Sequence, residues 1–348
     1  MIQTLLPVVK FAGRQSLLLA ALGLTGHAFA QSQSQSSSSS SHSEGGNEVL
    51  LKASPGVRAL RLGQMNTISD QAKASRGVGG SRTAGLGLGT GVAGAAGDGR
   101  WNGWAAQSHN AVGFGFAPLA SSGHVNSTLF GADYSLAGGS LLGVAIGGDS
   151  SRMTTTFNNG SVSTNGYSIA PYFMIPFGAR WTLDGSIGFG SGNVSQNAGA
   201  GVSGATSERR TFGSLGLTYA TTSGNWQLEG NGALLVANTT QGRFVQSNGV
   251  VIGEASSGLA QLRAGMRATW GSGPFTPYVG MALATDLAQT QVPTTGGQMP
   301  SNARESVLLQ AGLNINAGQK ISGSVAFSSE LRDQYRNNGI VGTISFKF

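Results

Sequence analysis

The sequence predicts an all-β protein: a 12-stranded antiparallel transmembrane β-barrel over residues 101–348, preceded by N-terminal segments of different character. Three observations predict it. From Trp101 onward, segments of about ten residues alternate large apolar with small or polar side chains. The 348 residues include 57 Gly, and only 10% are charged, against roughly 7% Gly and about 25% charge in an ordinary soluble domain. Beyond the N-terminus, no run reaches the 18 or so consecutive apolar residues of a spanning helix. Composition also excludes two other classes. With no cysteine, disulfide frameworks, thiolate catalysis and cysteine-based zinc sites fall away. Gly keeps no three-residue period, so collagen does too.

Residues 1–30 read as an export signal. Lys10 and Arg14 supply its positive region and Leu17 to Leu24 a short apolar run. Ala28-Phe29-Ala30 fits small-x-small cleavage, so Ala28 and Ala30 are the expected cleavage residues. The apolar run is too short to cross roughly 30 Å of hydrocarbon. Residues 31–55 form a Ser/Gln-rich leader or short passenger that cannot bury enough apolar area to order itself. Across 56–76, Val57, Leu60, Ile68 and Ala72 recur at roughly helical spacing, with Arg58, Arg61 and Lys73 between them. Residues 77–100 read as a Gly/Ala-rich linker. The basic excess of the whole chain is mild and scattered, so no nucleic-acid surface is expected.

Period-two alternation gives each strand one apolar and one polar face. Between 260 and 270, Leu262, Ala264, Met266 and Trp270 lie on one face, and Gln261, Arg263, Arg267 and Thr269 on the other. The same split sets Phe130 and Tyr134 against Asp133. It sets Trp181 and Ile187 against Asp184, and Trp226 and Leu228 against Glu229. Segment centres fall near 104, 132, 145, 170, 185, 215, 231, 265, 280, 311, 325 and 344. Tight connections are expected at 137–139, 176–179, 222–225 and 317–319, and long polar ones at 193–207, 238–257 and 289–305. Tyr134, Trp181, Tyr219, Trp226, Trp270 and Phe275 close the segments, as at a membrane interface. The predicted lumen face carries Asp133, Asp184, Glu229, Arg263, Arg267, Asp286 and Glu330. Those charges either solvate and pair across the wall or hold a segment threaded through the pore. On the lipid face Arg or Lys would cost about 2–4 kcal/mol near midplane.

The final segment alternates Ile340, Gly342, Ile344, Phe346 and Phe348 with Val341, Thr343, Ser345 and Lys347. It ends in an aromatic residue. With Ile344, Phe346 and Phe348 it looks like the assembly signal of bacterial outer-membrane barrels. Joined to twelve repeats, a preceding helix and the entry Gly99-Arg100-Trp101-Asn102-Gly103-Trp104, the chain resembles the autotransporter β-domain of type V secretion. Pro277-Tyr278-Val279-Gly280 with Met281 looks like a recurrent strand of that domain. The resemblance implies a barrel in outer-membrane lipid, inserted by the barrel-assembly machinery with periplasmic chaperones, that moves or displays its N-terminal segment at the cell surface. It also implies a helix inside the lumen. Residues 56–76 are the candidate, with Arg58, Arg61 and Lys73 toward the acidic lumen positions. A paired Asn at the family's cleavage position is missing, which argues against self-cleavage. The leader is too small to fold as an enzyme or adhesin.

Other chemistry was sought. No G-x-S-x-G elbow, H-E-x-x-H or Walker phosphate loop occurs. His124-Val125-Asn126-Ser127 is too weak a pattern for an outer-wall phospholipase, and His124 reads as a solvated loop residue. Neither cofactor nor metal nor enzymatic activity is expected. A surface-loop adhesion barrel and a diffusion channel without cargo remain the alternative functions.

Overall fold

The computed structural model describes residues 55–75, 100–116, 120–156, 158–271, 273–289, 303–318 and 320–348. The expected export signal with Ala28 and Ala30, the Ser/Gln-rich leader and most of the Gly/Ala linker lie outside them.

Among the described residues one helix, α1 (Pro55–Ser75), precedes the sheet. The strands then follow as a meander. They are β1 (Trp101–Phe114), β2 (Ser121–Ser135), β3 (Leu141–Thr155), β4 (Ser161–Phe177), β5 (Trp181–Asn197), β6 (Ser203–Ser223) and β7 (Trp226–Gln241). A two-residue hairpin, β8 (Phe244–Val245) with β9 (Val251–Ile252), interrupts the order. The barrel resumes with β10 (Ala255–Trp270), β11 (Phe275–Gln289), β12 (Glu305–Asn316), β13 (Ile321–Arg332) and β14 (Tyr335–Lys347). Each pairs antiparallel with its neighbours, and β14 returns to β1 from Asn102↔Lys347 to Phe114↔Tyr335. All twelve segment centres read from the sequence fall inside barrel strands. Closure matters physically, because hydrocarbon satisfies no backbone hydrogen bond and an open edge would be costly.

Alternation sorts the side chains. On β10, Leu262, Met266 and Trp270 are exposed on the outer wall, while Gln261, Arg263, Arg267 and Thr269 are buried within. The aromatic residues gather at one end. Trp101 packs on Tyr134 with ring centroids 5.0 Å apart, and Trp181 packs on Tyr219 at the same separation. In each cluster the preceding arginine donates to the tyrosine hydroxyl, Arg100 to Tyr134 at 3.1 Å and Arg180 to Tyr219 at 2.8 Å. Trp226, Trp270, Phe275, Phe346 and Phe348 complete this girdle.

At the girdle end the strands are joined by tight turns. Gly224, at φ 57°, supplies the left-handed residue that the two-residue β6–β7 turn needs. The other end carries the longer connections, but they are shorter than the sequence suggested. Residues 193–197 and 203–207 belong to β5 and β6, leaving only 198–202 as loop. Their Gly/Ser/Asn content looks like loop, yet the ladder pairs Asn193↔Ser207 through Asn197↔Ser203. The 242–254 connection folds inward: Phe244 and Ile252 bury against Val162 and Val194. The β13–β14 link, by contrast, is tight.

Candidate functional site

The lumen is the site, and α1 fills it. Its 21 residues span roughly 30 Å at 1.5 Å per residue, about one membrane thickness. The helix is buried on nearly every side, from Leu62, Met65 and Ile68 to Gln64, Asp70 and Gln71. An isolated helix so polar would be marginal. Here the wall supplies the partners.

The lumen wall carries two kinds of side chain. Leu62, Met65, Ile68 and Ala72 pack into a cluster with Leu129, Ala145, Ala170, Tyr172, Met174, Phe212 and Leu235, all contributed by β2 to β7. Nearer the loop end, Ala59 and Leu60 meet Val112, Val125, Met153 and Tyr335. The sequence reading of a uniformly hydrophilic passage therefore needs correction. On β2 to β7 apolar side chains that receive the helix alternate with buried charges such as Asp149, Asp184 and Arg210.

Charge and hydrogen bonds also hold α1, from residues beside the apolar stripe. Arg58 grips Asp286 with both guanidinium nitrogens, at 2.7 and 3.1 Å, and reaches Glu330 at 3.3 Å. This bidentate geometry is the strong form of an ion pair. Asp286 also accepts from Arg332 at 2.5 Å and Gln261 at 2.8 Å. Glu330 accepts from Ser306 at 3.2 Å. Midway, Arg263 donates to Asn66 at 2.9 Å. Near the girdle end, Lys73 pairs with Asp184 at 3.1 Å, and Ser69 donates to the same carboxylate at 2.5 Å. Arg61 lies among Glu208 and Arg210.

Every sequence-predicted lumen residue is buried inside the ring: Asp133, Asp184, Glu229, Arg263, Arg267, Asp286 and Glu330. Asp184, Arg263, Asp286 and Glu330 touch the helix, and Glu229 lies within electrostatic reach of Lys73. Asp133, Glu229 and Arg267 also make contacts within the wall. Asp133 accepts from the Tyr172 hydroxyl at 2.9 Å and from Asn102 at 3.2 Å, and Trp104 donates to that hydroxyl at 2.8 Å. Glu229 stands opposite Arg267 in the β7–β10 register, and Arg267 lies 3.4 Å from the centre of the Tyr278 ring. Of the assembly-signal residues, Ile344 and Phe346 face outward on the closing strand, and Phe348 is exposed just past its end.

Sequence reasoning missed a second charge centre. Arg210 bridges Asp149 at 2.7 Å and also pairs with Glu208, while Gln64 of α1 donates to Asp149 at 3.4 Å. Glu208 and Arg210 sit just past the stretch read as loop. Had β6 been recognised from Ser203, their parity with Phe212 would have placed them in the lumen. Asp149, in parity with Ala145, carried the same signal. His124 is also corrected: it belongs to β2 and faces outward, not in a loop.

The polarity of the helix matters most. Asp286 and Glu330 lie near the loop ends of β11 and β13, and Asp184 near the girdle end of β5. So α1 enters at the loop end and leaves beside the tight turns, where β1 begins.

Fold and lumen together define a class: a closed membrane barrel whose pore is threaded by a helix of its own chain. The Autotransporter beta-domain profile matches residues 95–328, and the chain belongs to that family. It is a translocator-type barrel of the outer membrane and of type V secretion. Among solved structures it is similar to the translocator domain of NalP from Neisseria meningitidis, at TM-score 0.61 and 16% identity over 72% of this chain and 89% of that one. The β domain of the Bordetella autotransporter BrkA is similar at TM-score 0.61 and 15% identity, over 72% of this chain and 100% of that one. The transport unit of AIDA-I from Escherichia coli gives 0.51 and 16%, over 73% and 91%. No curated protein sequence matches this chain.

Proposed function

We propose that this barrel carries its own N-terminal segment across the outer membrane and displays it at the cell surface, without enzymatic chemistry. The observation that carries the reading is the direction of α1. Arg58 is pinned at the loop end and Lys73 at the turn end, so the N-terminal end of α1 lies at the loop mouth. Because β1 and β14 both have their outer ends at the turn side, a segment made before the barrel reaches the loop side only by passing through the lumen. The helix is then the last part to enter, and its ion pairs hold it as a plug.

The family supplies the expectation that the barrel-assembly machinery and periplasmic chaperones insert it. A diffusion channel is the less supported alternative, because the helix fills the space that solutes would use. An epitope placed at residue 35 tests the proposal: antibody should reach it on intact cells. Access only after the outer membrane is broken would overturn the reading.

A further inference from the structure

The outer wall is apolar over unequal heights. The two Arg–Trp–Tyr clusters, with Trp101 on Tyr134 and Trp181 on Tyr219, have matching geometry and mark one level on two sides of the barrel. Above that level, outward residues stay apolar on β5 from Trp181 to Phe189 and on β4 from Phe177 back to Tyr167. On β11 they stay apolar from Phe275 to Leu283, and on β14 from Phe348 back to Ile340.

Three adjacent strands break the pattern, and β6 does so apart from them, its outward run of Tyr219, Leu217 and Leu215 giving way to Gly213, Thr211 and Arg209. β1 is apolar outward only from Trp101 to Ala105, β2 only from Tyr134 back to Phe130, and β3 only from Leu142 to Ile146. Their next outward residues are Gln107 and His109, Thr128, Asn126 and His124, and, after Gly148, Ser150 and Arg152. They form one contiguous patch, since Gln107 pairs Thr128, His109 pairs Asn126 and His124 pairs Arg152. Within it, His109 Nδ1 lies 2.7 Å from Asn126 Oδ1, and the His109 and His124 rings stack at 6.1 Å.

Height decides what this means. A strand rising about 3.3 Å per residue and tilted about 40° gains roughly 2.5 Å of height per residue. Thr128, six residues from Tyr134, therefore sits about 15 Å above the girdle, inside an apolar band that is about 25 Å tall in such barrels. Ile187, six residues from Trp181, sits at the same level on the far side. Amide, imidazole and hydroxyl groups are costly against acyl chains, and a wall whose apolar height is too short draws the bilayer thinner beside it.

We propose that the β1–β3 sector is a lipid-headgroup contact surface. Phosphate-bearing headgroups of the loop-side leaflet descend along it to the level of Thr128, thinning the membrane on this side of the barrel. The chemistry fits that occupant. Arg152 and the two histidines suit phosphate, the amides and hydroxyls suit glycerol and ester oxygens, and no acidic side chain lies in the patch. The patch is also continuous upward with Ser122 and Thr154, so headgroups enter from above without crossing an apolar collar.

The full chain has no cysteine, so single labels are clean. Thr128→Cys and Ile187→Cys, each carrying an environment-sensitive NBD dye, are refolded into dioleoyl-phosphatidylcholine vesicles. Gel mobility before and after heating confirms the folded barrel. Position 187 should emit to the blue and be quenched several-fold more by mid-chain doxyl lipid than position 128. Position 128 should respond instead to headgroup-labelled lipid. Equal mid-chain quenching at the two positions would overturn the proposal. So would emission at 128 that changes with protein-to-lipid ratio, which would mean that a second copy covers the patch. A third variant adds Gln107→Leu, His109→Leu and Asn126→Leu to Thr128→Cys. Its dye should move into hydrocarbon, and a dye that stays in a polar setting would show that these side chains do not set the depression.

Discussion

The two ends of α1 are held unequally, and that asymmetry is measurable. When Lys73→Gln removes the lower cation, Asp184 is left buried with only the Ser69 hydroxyl of the helix beside it. An uncompensated buried charge of this kind costs about 3–5 kcal/mol. When Arg58→Gln removes the upper cation, Asp286 keeps Arg332 and Gln261, and Glu330 keeps Ser306. What is lost there is closer to a hydrogen bond to a charged group, about 1.5–3 kcal/mol. At 1.4 kcal/mol per decade, Lys73→Gln should raise the ratio of unplugged to plugged barrels by roughly 100-fold to several thousand-fold. Arg58→Gln should raise it by about 10- to 100-fold. Planar-bilayer recording of the purified full chain reads this as the fraction of time at full conductance. The ordering is the discriminating result, with Lys73→Gln above Arg58→Gln and both above the parent. Equal or reversed ordering would refute the assignment of Asp184 as the dependent partner. Silence in both variants would refute the helix as plug.

Three further outcomes follow from the same contacts. Reversing Asp184 and Glu229 together to Lys should open the pore at least as far as Lys73→Gln, and unchanged conductance would contradict this. Tyr172→Phe strands the Trp104 indole N–H and one partner of Asp133; about 1–3 kcal/mol should be lost, seen as a lower temperature for the folded-to-unfolded shift on gels. Leu262→Arg puts a cation on the lipid face beside a lumen that already holds Arg263; denaturant unfolding in vesicles should show a loss of about 2–4 kcal/mol, and no loss would mean that the wall is inverted there.

Much of the barrel was legible because a membrane strand must show lipid and lumen on alternate residues. Leu262 against Arg263 and Met266 against Arg267 state that rule within six positions. The aromatic ends of strands were legible for the same reason, since ring and polar tip suit an interface. What escaped reading depends on pairing between distant segments. Arg210 with Asp149, and Arg58 with Asp286, join residues far apart in the chain, and no local pattern encodes either partnership. Strand ends escaped for a different reason. Above the bilayer, β5 and β6 are no longer required to show an apolar face, so Asn193 to Asn197 pairs as strand while looking like loop. The apolar residues of the lumen were hidden too, because Met174 and Leu235 face inward to receive α1.

Nitroxide scanning along β10 in the full chain tests the central claim most directly. Labels at 262 and 266 should collide with oxygen dissolved in lipid, and labels at 263 and 267 should meet neither oxygen nor a water-soluble nickel complex, because α1 occupies the space they face. Strong nickel contact at 263 and 267 would mean an open, water-filled pore, and strong oxygen contact there would mean that these positions line the outside; either result contradicts a barrel closed around its own helix.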